Sequence, residues 1–194
     1  MKNVLALTAV AGLAAAASAQ TVNFVWYNDA AGPVGMGDVV TVWCEMDFSP
    51  DPGFGFTSSL FDVLGDDDAY AQGINNDETM GLGRYFQFAG TFNGTVAGDD
   101  ILGTDEFQLP QAFGGGDPTN PIDVFYAFEY TVMDDTTRTV SYTSRHANVD
   151  IYQDGFGTSS AYQWDAVATS FDIIPAPASL ALLGLGGLVA RRRR

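Results

Sequence analysis

The sequence predicts an all-β fold, an antiparallel β-sandwich, and three observations carry that prediction. Apolar side chains recur at every second position in several short runs, the period of a strand with one buried face. Glycine (22 residues), proline (8) and Asp/Asn clusters separate those runs at short intervals, and aromatic residues make up 13% of the chain, a composition suited to pleated, half-buried surfaces joined by turns. Between the two ends of the chain there is no long helical pattern and no repeat period, so crossover helices are not expected and about eight to ten strands are.

The strands follow in order. Val22, Phe24 and Trp26 share one face of the first, which Asn28-Asp29 and Gly32-Pro33 end. Between Asp38 and Phe48 the residues Val40, Val42, Cys44, Met46 and Phe48 face one way and Thr41, Trp43, Glu45 and Asp47 the other. Cys44, the single cysteine, therefore belongs to a buried face, where a thiol is inert core rather than a nucleophile. After a Pro/Gly loop, Phe54, Phe56, Leu60, Phe61, Val63 and Leu64 give a further strand. Gly65 to Gly83 is polar and reads as a long surface loop with a short helix at Asp67 to Gln72. Alternation returns from Arg84 to Phe92 through Phe86 and Phe88, and Asn93-Gly94 suits a two-residue hairpin turn, because both positions tolerate positive φ. Asn93-Gly94-Thr95 also spells a glycan acceptor, secondary to the turn.

Ile122 to Met133 is apolar on both faces, the mark of a central strand. Asp134-Asp135-Thr136 signals a turn, and Thr137 to Ser144, with Val140 and Tyr142 inward, answers as its hairpin partner, so Ile122 to Ser144 is expected to form the spine. Val149, Ile151, the Gly155-Phe156-Gly157 turn and Tyr162 to Ile174 supply the closing strands. The run Gly37-Asp38-Val39-Val40-Thr41-Val42 resembles the Gly-Asp-x-Val-x-Val strand of cohesin-like bacterial surface sandwiches. A cohesin-like or jelly-roll arrangement, and a binding or scaffolding role, are what that resemblance implies.

Both ends of the chain read as addresses. Met1 to Ala19 has a positive end at Lys2, an apolar region from Val4 to Ala17 and a small-residue site at Ala17-Ser18-Ala19, a signal peptide with cleavage expected before Gln20. At the other end, Pro175 to Arg194 joins a proline pair, a short apolar helix and four arginines. Roughly 24 Å of helix falls slightly under the bilayer's hydrocarbon core, so this short transmembrane helix suits a temporary anchor, with its arginines held on the cytoplasmic side. Pro175, Ala176 and Pro177, the Leu/Gly/Ala helix and Arg191, Arg192, Arg193 and Arg194 resemble the tripartite sorting signal of PEP-CTERM proteins. Ala176 stands where that family has glutamate. The resemblance implies export, handling of the tail by an exosortase-type transpeptidase in the membrane, and residence at the cell surface or in an extracellular matrix with exopolysaccharide. The segments 1–19, 20–174 and 175–194 are thus leader, outer domain and sorting tail.

Charge narrows the function. Lys2 and the terminal arginines leave residues 20–174 only Arg84, Arg138 and Arg145 against all 24 acids, a balance of −21. Nucleic acid and anionic lipid are repelled by such a domain, while solubility and divalent cations are favoured. One cysteine excludes an internal disulfide framework. The lone His146 reads as a surface or turn residue. No Gly-x-Ser-x-Gly nucleophile motif accompanies it, so no catalytic residue is assigned and the chain reads as non-enzymatic. Calcium is the one ligand the residue types suit, through oxygen donors at Asp66, Asp67, Asp68, Asn75, Asp77 and Glu78, although no EF-hand spacing is present and no cofactor is required. Trp43 and Trp164 are candidates to stack on sugar rings. The alternatives to a surface protein are an exported glycan hydrolase working through a carboxylate pair, and a calcium-dependent carbohydrate-binding module.

Overall fold

The computed structural model describes residues 19–70, 72–76, 91–114 and 119–175. Most of the leader, the tail beyond Pro175, the alternation from Arg84 to Phe88, and the predicted ligands Asp77 and Glu78 lie outside the described residues. Among those described, twelve strands and one 3-10 turn at Gln111–Phe113 make up the regular structure, and no helix is long and apolar enough to cross a membrane.

Two sheets face each other across an aromatic core. The front sheet has the order β11-β1-β2-β8-β4, built from β11 (Gln163–Val167), β1 (Thr21–Asn28), β2 (Val39–Ser49), β8 (Ile122–Val132) and β4 (Gln72–Asn75). The back sheet runs β10-β9-β3-β7-β5 through β10 (Ser159–Ala161), β9 (Arg138–Tyr152), β3 (Phe56–Gly65), β7 (Asp100–Phe107) and β5 (Thr91–Phe92), with β12 (Thr169–Ile173) also on β9 and β6 (Thr95–Ala97) also on β7. Alternation explains which faces meet. Val22, Phe24 and Trp26 of β1 and Val40, Val42, Cys44, Met46 and Phe48 of β2 are all buried, as their spacing predicts. Phe125 of β8 sits at the centre, its ring centroid 5.2 Å from Phe24, 5.3 Å from Phe56 and 5.4 Å from Phe61. Such tilted and edge-on aromatic pairs add about 0.5–1.5 kcal/mol each beyond their buried area.

Five expectations are corrected. The predicted hairpin from Ile122 to Ser144 does not form: β8 pairs with β2 and β4, whereas β9 pairs with β3, β10 and β12. The Asp134-Asp135-Thr136 signal is a real turn, with the Asp134 carboxylate accepting from the Thr136 N–H at 2.8 Å, but it carries the chain from one sheet to the other. Arg138 fixes that crossing. Its guanidinium makes a two-point pair with Asp67 (Nε–Oδ1 2.6 Å, Nη2–Oδ2 3.1 Å) and donates to the carbonyls of Asp134 (3.0 Å) and Thr136 (2.9 Å). The Tyr130 hydroxyl of β8 also donates to Asp67, so the end of β8, the start of β9 and the loop after β3 share one charge pair.

The second correction concerns Gly65 to Gly83: the residues from Asp67 to Tyr70 form a turn rather than a helix, and Gln72–Asn75 is an edge strand on β8. Third, Asn93-Gly94 is no hairpin turn, because β5 and β6 both lie along β7 and Gly94 (φ 80°) joins them within one edge. The hairpin is one step later, where Ala97 pairs with Asp100 around Gly98 (φ 69°) and Asp99. Fourth, pairing is not antiparallel throughout, since β1 and β11 are parallel from Thr21↔Gln163 to Val25↔Val167. The fifth is His146, which lies inside the core.

Candidate functional site

Continuing the inward alternation of β9 past Val140 and Tyr142 reaches Ser144 and then His146, both 5% exposed. The imidazole stacks on Phe24 at 3.7 Å between centroids and on Phe61 at 5.0 Å. Its protons can be assigned from its neighbours. Ser59 Oγ–H donates to the Asn148 carbonyl at 3.0 Å, so Ser59 accepts from His146 Nδ1–H at 2.9 Å. That leaves Nε2 to accept from Ser144 Oγ–H at 3.0 Å, while Ser144 itself accepts from Trp26 Nε1–H at 3.0 Å. Burial pushes the imidazole pKa down to about 3, and the ring is neutral. A directed chain from Trp26 to Asn148 thus ties β1 to β3 and β9. The imidazole has no free nitrogen for a substrate, and its serines are buried with it.

The four described calcium candidates each have protein partners. Asp67 faces Arg138, Asp66 accepts from the Ser141 N–H at 2.7 Å, Asp68 accepts from the Asp99 N–H at 3.2 Å, and Asn75 donates to Glu129 at 3.0 Å. Among the described residues no group of three or more His, Cys, Asp or Glu is placed to hold a metal ion. Two acids that the sequence did not single out are more unusual. Asp99 is 1% exposed, and burial, with the Asp68 and Asp100 carboxylates nearby, raises its pKa to about 6. Glu106 of β7 is fully buried, its pKa raised by burial and by Asp105, and neither carboxylate oxygen has a hydrogen-bond partner among the described residues. Cys44 lies in the core as expected, with burial first and then the Glu106 and Glu45 carboxylates pushing its thiol pKa up.

The outer faces of the two sheets carry further features. On the back sheet, register shifts on both sides of Phe61 and a left-handed Gly103 (φ 71°) accompany a depression of about 280 Å³ lined by Leu60, Phe61, Asp62, Gly103, Arg145, His146 and Ala147. Its charges are already spent on each other, since Asp62 accepts from Arg145 Nη2 at 2.6 Å and from the Gly103 N–H at 2.8 Å. Burial works against the Asp62 charge, but the Arg145 and Gly103 bonds outweigh it and hold its pKa below the ordinary value.

The front sheet offers a wider surface. Tyr27 of β1, Trp43 of β2 and Ala127 of β8 are consecutive partners across the ladder. The Tyr27 and Trp43 rings are 5.7 Å apart and within 20° of parallel, and Tyr27 is 38% exposed. Burial first, then the Glu45 carboxylate, raises the Tyr27 hydroxyl pKa. Around the pair the registers place Val25 and Val167, Glu45, Asn23, Thr41 and the Asn75–Glu129 bond. The five strands of this sheet contain five acids and no lysine, arginine or histidine. Of the two predicted sugar-stacking residues, Trp43 is on this face. Trp164, from an inward position at the sheet's edge, is 38% exposed and tilts against His146 at 5.3 Å.

No protein-family model matches the chain, and no curated protein does. Solved structures do. One is a cohesin domain from a type I cohesin–dockerin complex of Clostridium thermocellum, 14% identical, covering 79% of this chain and 99% of its own, with a TM-score of 0.48. Another is a DUF4466 family protein from Parabacteroides merdae, 11% identical, covering 81% of this chain and 44% of its own, with a TM-score of 0.29.

Proposed function

We propose that the chain is an exported, non-enzymatic protein of the cell surface or extracellular matrix, sorted through its PEP-CTERM-like tail by an exosortase-type enzyme and associated with exopolysaccharide. The observation that carries the non-enzymatic part is the commitment of both His146 nitrogens to buried serines, which leaves the one imidazole of the chain without a catalytic task. The broad acidic and aromatic front face, a surface rather than a cleft, supports binding over hydrolysis. The Gly37–Val42 run, which turns at Gly37 (φ 92°) into β2, supports a cohesin-like arrangement within the two-sheet architecture.

The route is tested by the mass and location of the protein recovered from cells with and without the sorting enzyme. Loss of residues near Gln20 and near Pro175, with release from the surface when extracellular polysaccharide is digested, is the expected result. Recovery of the full-length chain from the cytoplasm would end the reading. So would release of reducing ends from that polysaccharide by the purified protein, if an acid-to-amide substitution abolished it.

A further inference from the structure

We infer that the outer face of the front sheet is a glycan platform centred on Tyr27 and Trp43, and that it takes an uncharged hexose chain rather than a uronate or sulfated one. The inference rests on the exopolysaccharide reading above and deepens it by naming the face and the charge class of the ligand.

The first support is shape. Side chains on one face of a strand stand two residues apart, so partners across adjacent strands stand side by side. Tyr27 and Trp43 use that placement to stack as an offset pair, with centroids 5.7 Å and planes 20° apart, which leaves the outward ring face of the pair for a ligand. Outward-pointing Ala127, the direct partner of Trp43 on β8, is only 2% exposed, so no large side chain stands between the pair and the β8 side of the sheet. Val25 and the 54% exposed Val167 extend the apolar strip towards β11. Flat apolar rings with a polar rim match a hexose, whose ring presents C–H bonds on its faces and hydroxyls at its edge.

The second support is charge. Glu45, Asp47, Glu129 and Asp165 lie along the same face, and no cation on any of the five strands offsets them. A carboxylated or sulfated chain meets like charge here, whereas hydroxyl groups find acceptors in Glu45 and Glu129. The Asn75 amide holds Glu129 from β4 at 3.0 Å and so orients one of those acceptors in advance.

The experiment is calorimetric titration of the exported protein with gluco-, manno- and galacto-hexaoses and, as the anionic comparison, with oligo-alginate. At least one neutral hexaose should bind, Trp43→Ala should weaken it on the order of tenfold or more, and oligo-alginate should not compete. Tyr27→Ala should weaken binding in the same direction, and Trp164→Ala, at the sheet's edge, should leave it unchanged. Thermal unfolding of each variant separates lost binding from lost folding. Three outcomes overturn the inference: no neutral hexaose binds, oligo-alginate binds in preference, or a folded Trp43→Ala and a folded Tyr27→Ala both bind as the parent does. If the protein still resides in the polysaccharide matrix in those cases, the surface reading stands and only the platform falls. If it is found in the cytoplasm, the surface reading falls whatever the titration shows.

Discussion

His146 and Glu106 are buried almost equally, at 5% and 0% exposed, and Ser59 links them, bonding to the imidazole and standing opposite Glu106 in the β3–β7 ladder. They differ in partners. Both nitrogens of His146 are engaged in a chain that suits only the neutral ring, while neither oxygen of Glu106 is engaged by a described residue. Two neighbours in one core are thus held differently. The imidazole is kept neutral by a structure that uses that form, whereas burial pushes the carboxyl pKa up with no described partner to use either form. The first should strengthen the fold and the second should weaken it.

The largest break in that comparison is His146→Ala. It removes the ring between Phe24 and Phe61 and leaves Ser59 and Ser144 short of a partner, at an expected cost of about 3–5 kcal/mol in denaturant unfolding. A cost below about 1 kcal/mol would mean that the hydrogen-bond chain holds nothing.

Acid gives the next effect. The His146 pKa is depressed to about 3, so between there and 6.5 the unfolded chain binds a proton that the folded chain refuses. Stability present above pH 6.5 is therefore lost as pH falls, by on the order of 5 kcal/mol in all. Glu106 has the opposite sign. Its folded pKa lies well above 4.5, so stability is full below that pH and falls as pH rises, by about 1.4 kcal/mol per unit up to the folded pKa. Asp99, raised from 3.8 to about 6, has the same sign as Glu106, but its loss falls between pH 3.8 and 6, where it opposes the gain from His146. Thermal midpoints between pH 3 and 9 should trace a dome, with His146→Phe flattening its acid side and Glu106→Gln its alkaline side. A curve unaltered by both variants would remove the contrast.

Third, Glu106→Leu should raise stability at pH 8 by about 1–3 kcal/mol, since an unpartnered acid is replaced by an apolar side chain. A loss there would mean that the carboxyl has a partner after all. The smallest expected effect is Arg145→Ala, whose partner Asp62 lies on the outer face beside the same strands. The guanidinium is 64% exposed, and under about 1 kcal/mol should be lost.

Much of the front sheet was legible in the sequence because β1 and β2 bury one face each, and period-two alternation reports just that. The pairing of β8 with β9 was not legible. A turn signal such as Asp134-Asp135-Thr136 says that the chain reverses, not whether it reverses within a sheet or across the core. What decides is Arg138 and its contact with Asp67, a residue 71 positions away. His146 was missed for a simpler reason. Parity from Val140 through Tyr142 and Ser144 places it inside, but a polar residue beside Arg145 looks like surface unless that parity is followed. Asp99 and Glu106 gave no sequence signal, since 24 acids hide two buried ones. The platform was half visible: Trp43 stood out as an outward aromatic, while its alignment with Tyr27 needed the register.

The lengths of the strands bear on how this protein behaves when many copies share a surface. The long strands, β2 and β8 of 11 residues, β9 of 15 and β3 of 10, all run between neighbours, whereas the outer strands β11 and β10, flanked by described residues at both ends, have only five and three. Brief edges give an arriving strand little to add to, and a strongly negative surface keeps copies apart. At high local concentration, such a molecule is expected to stay a set of separate units instead of polymerising edge to edge.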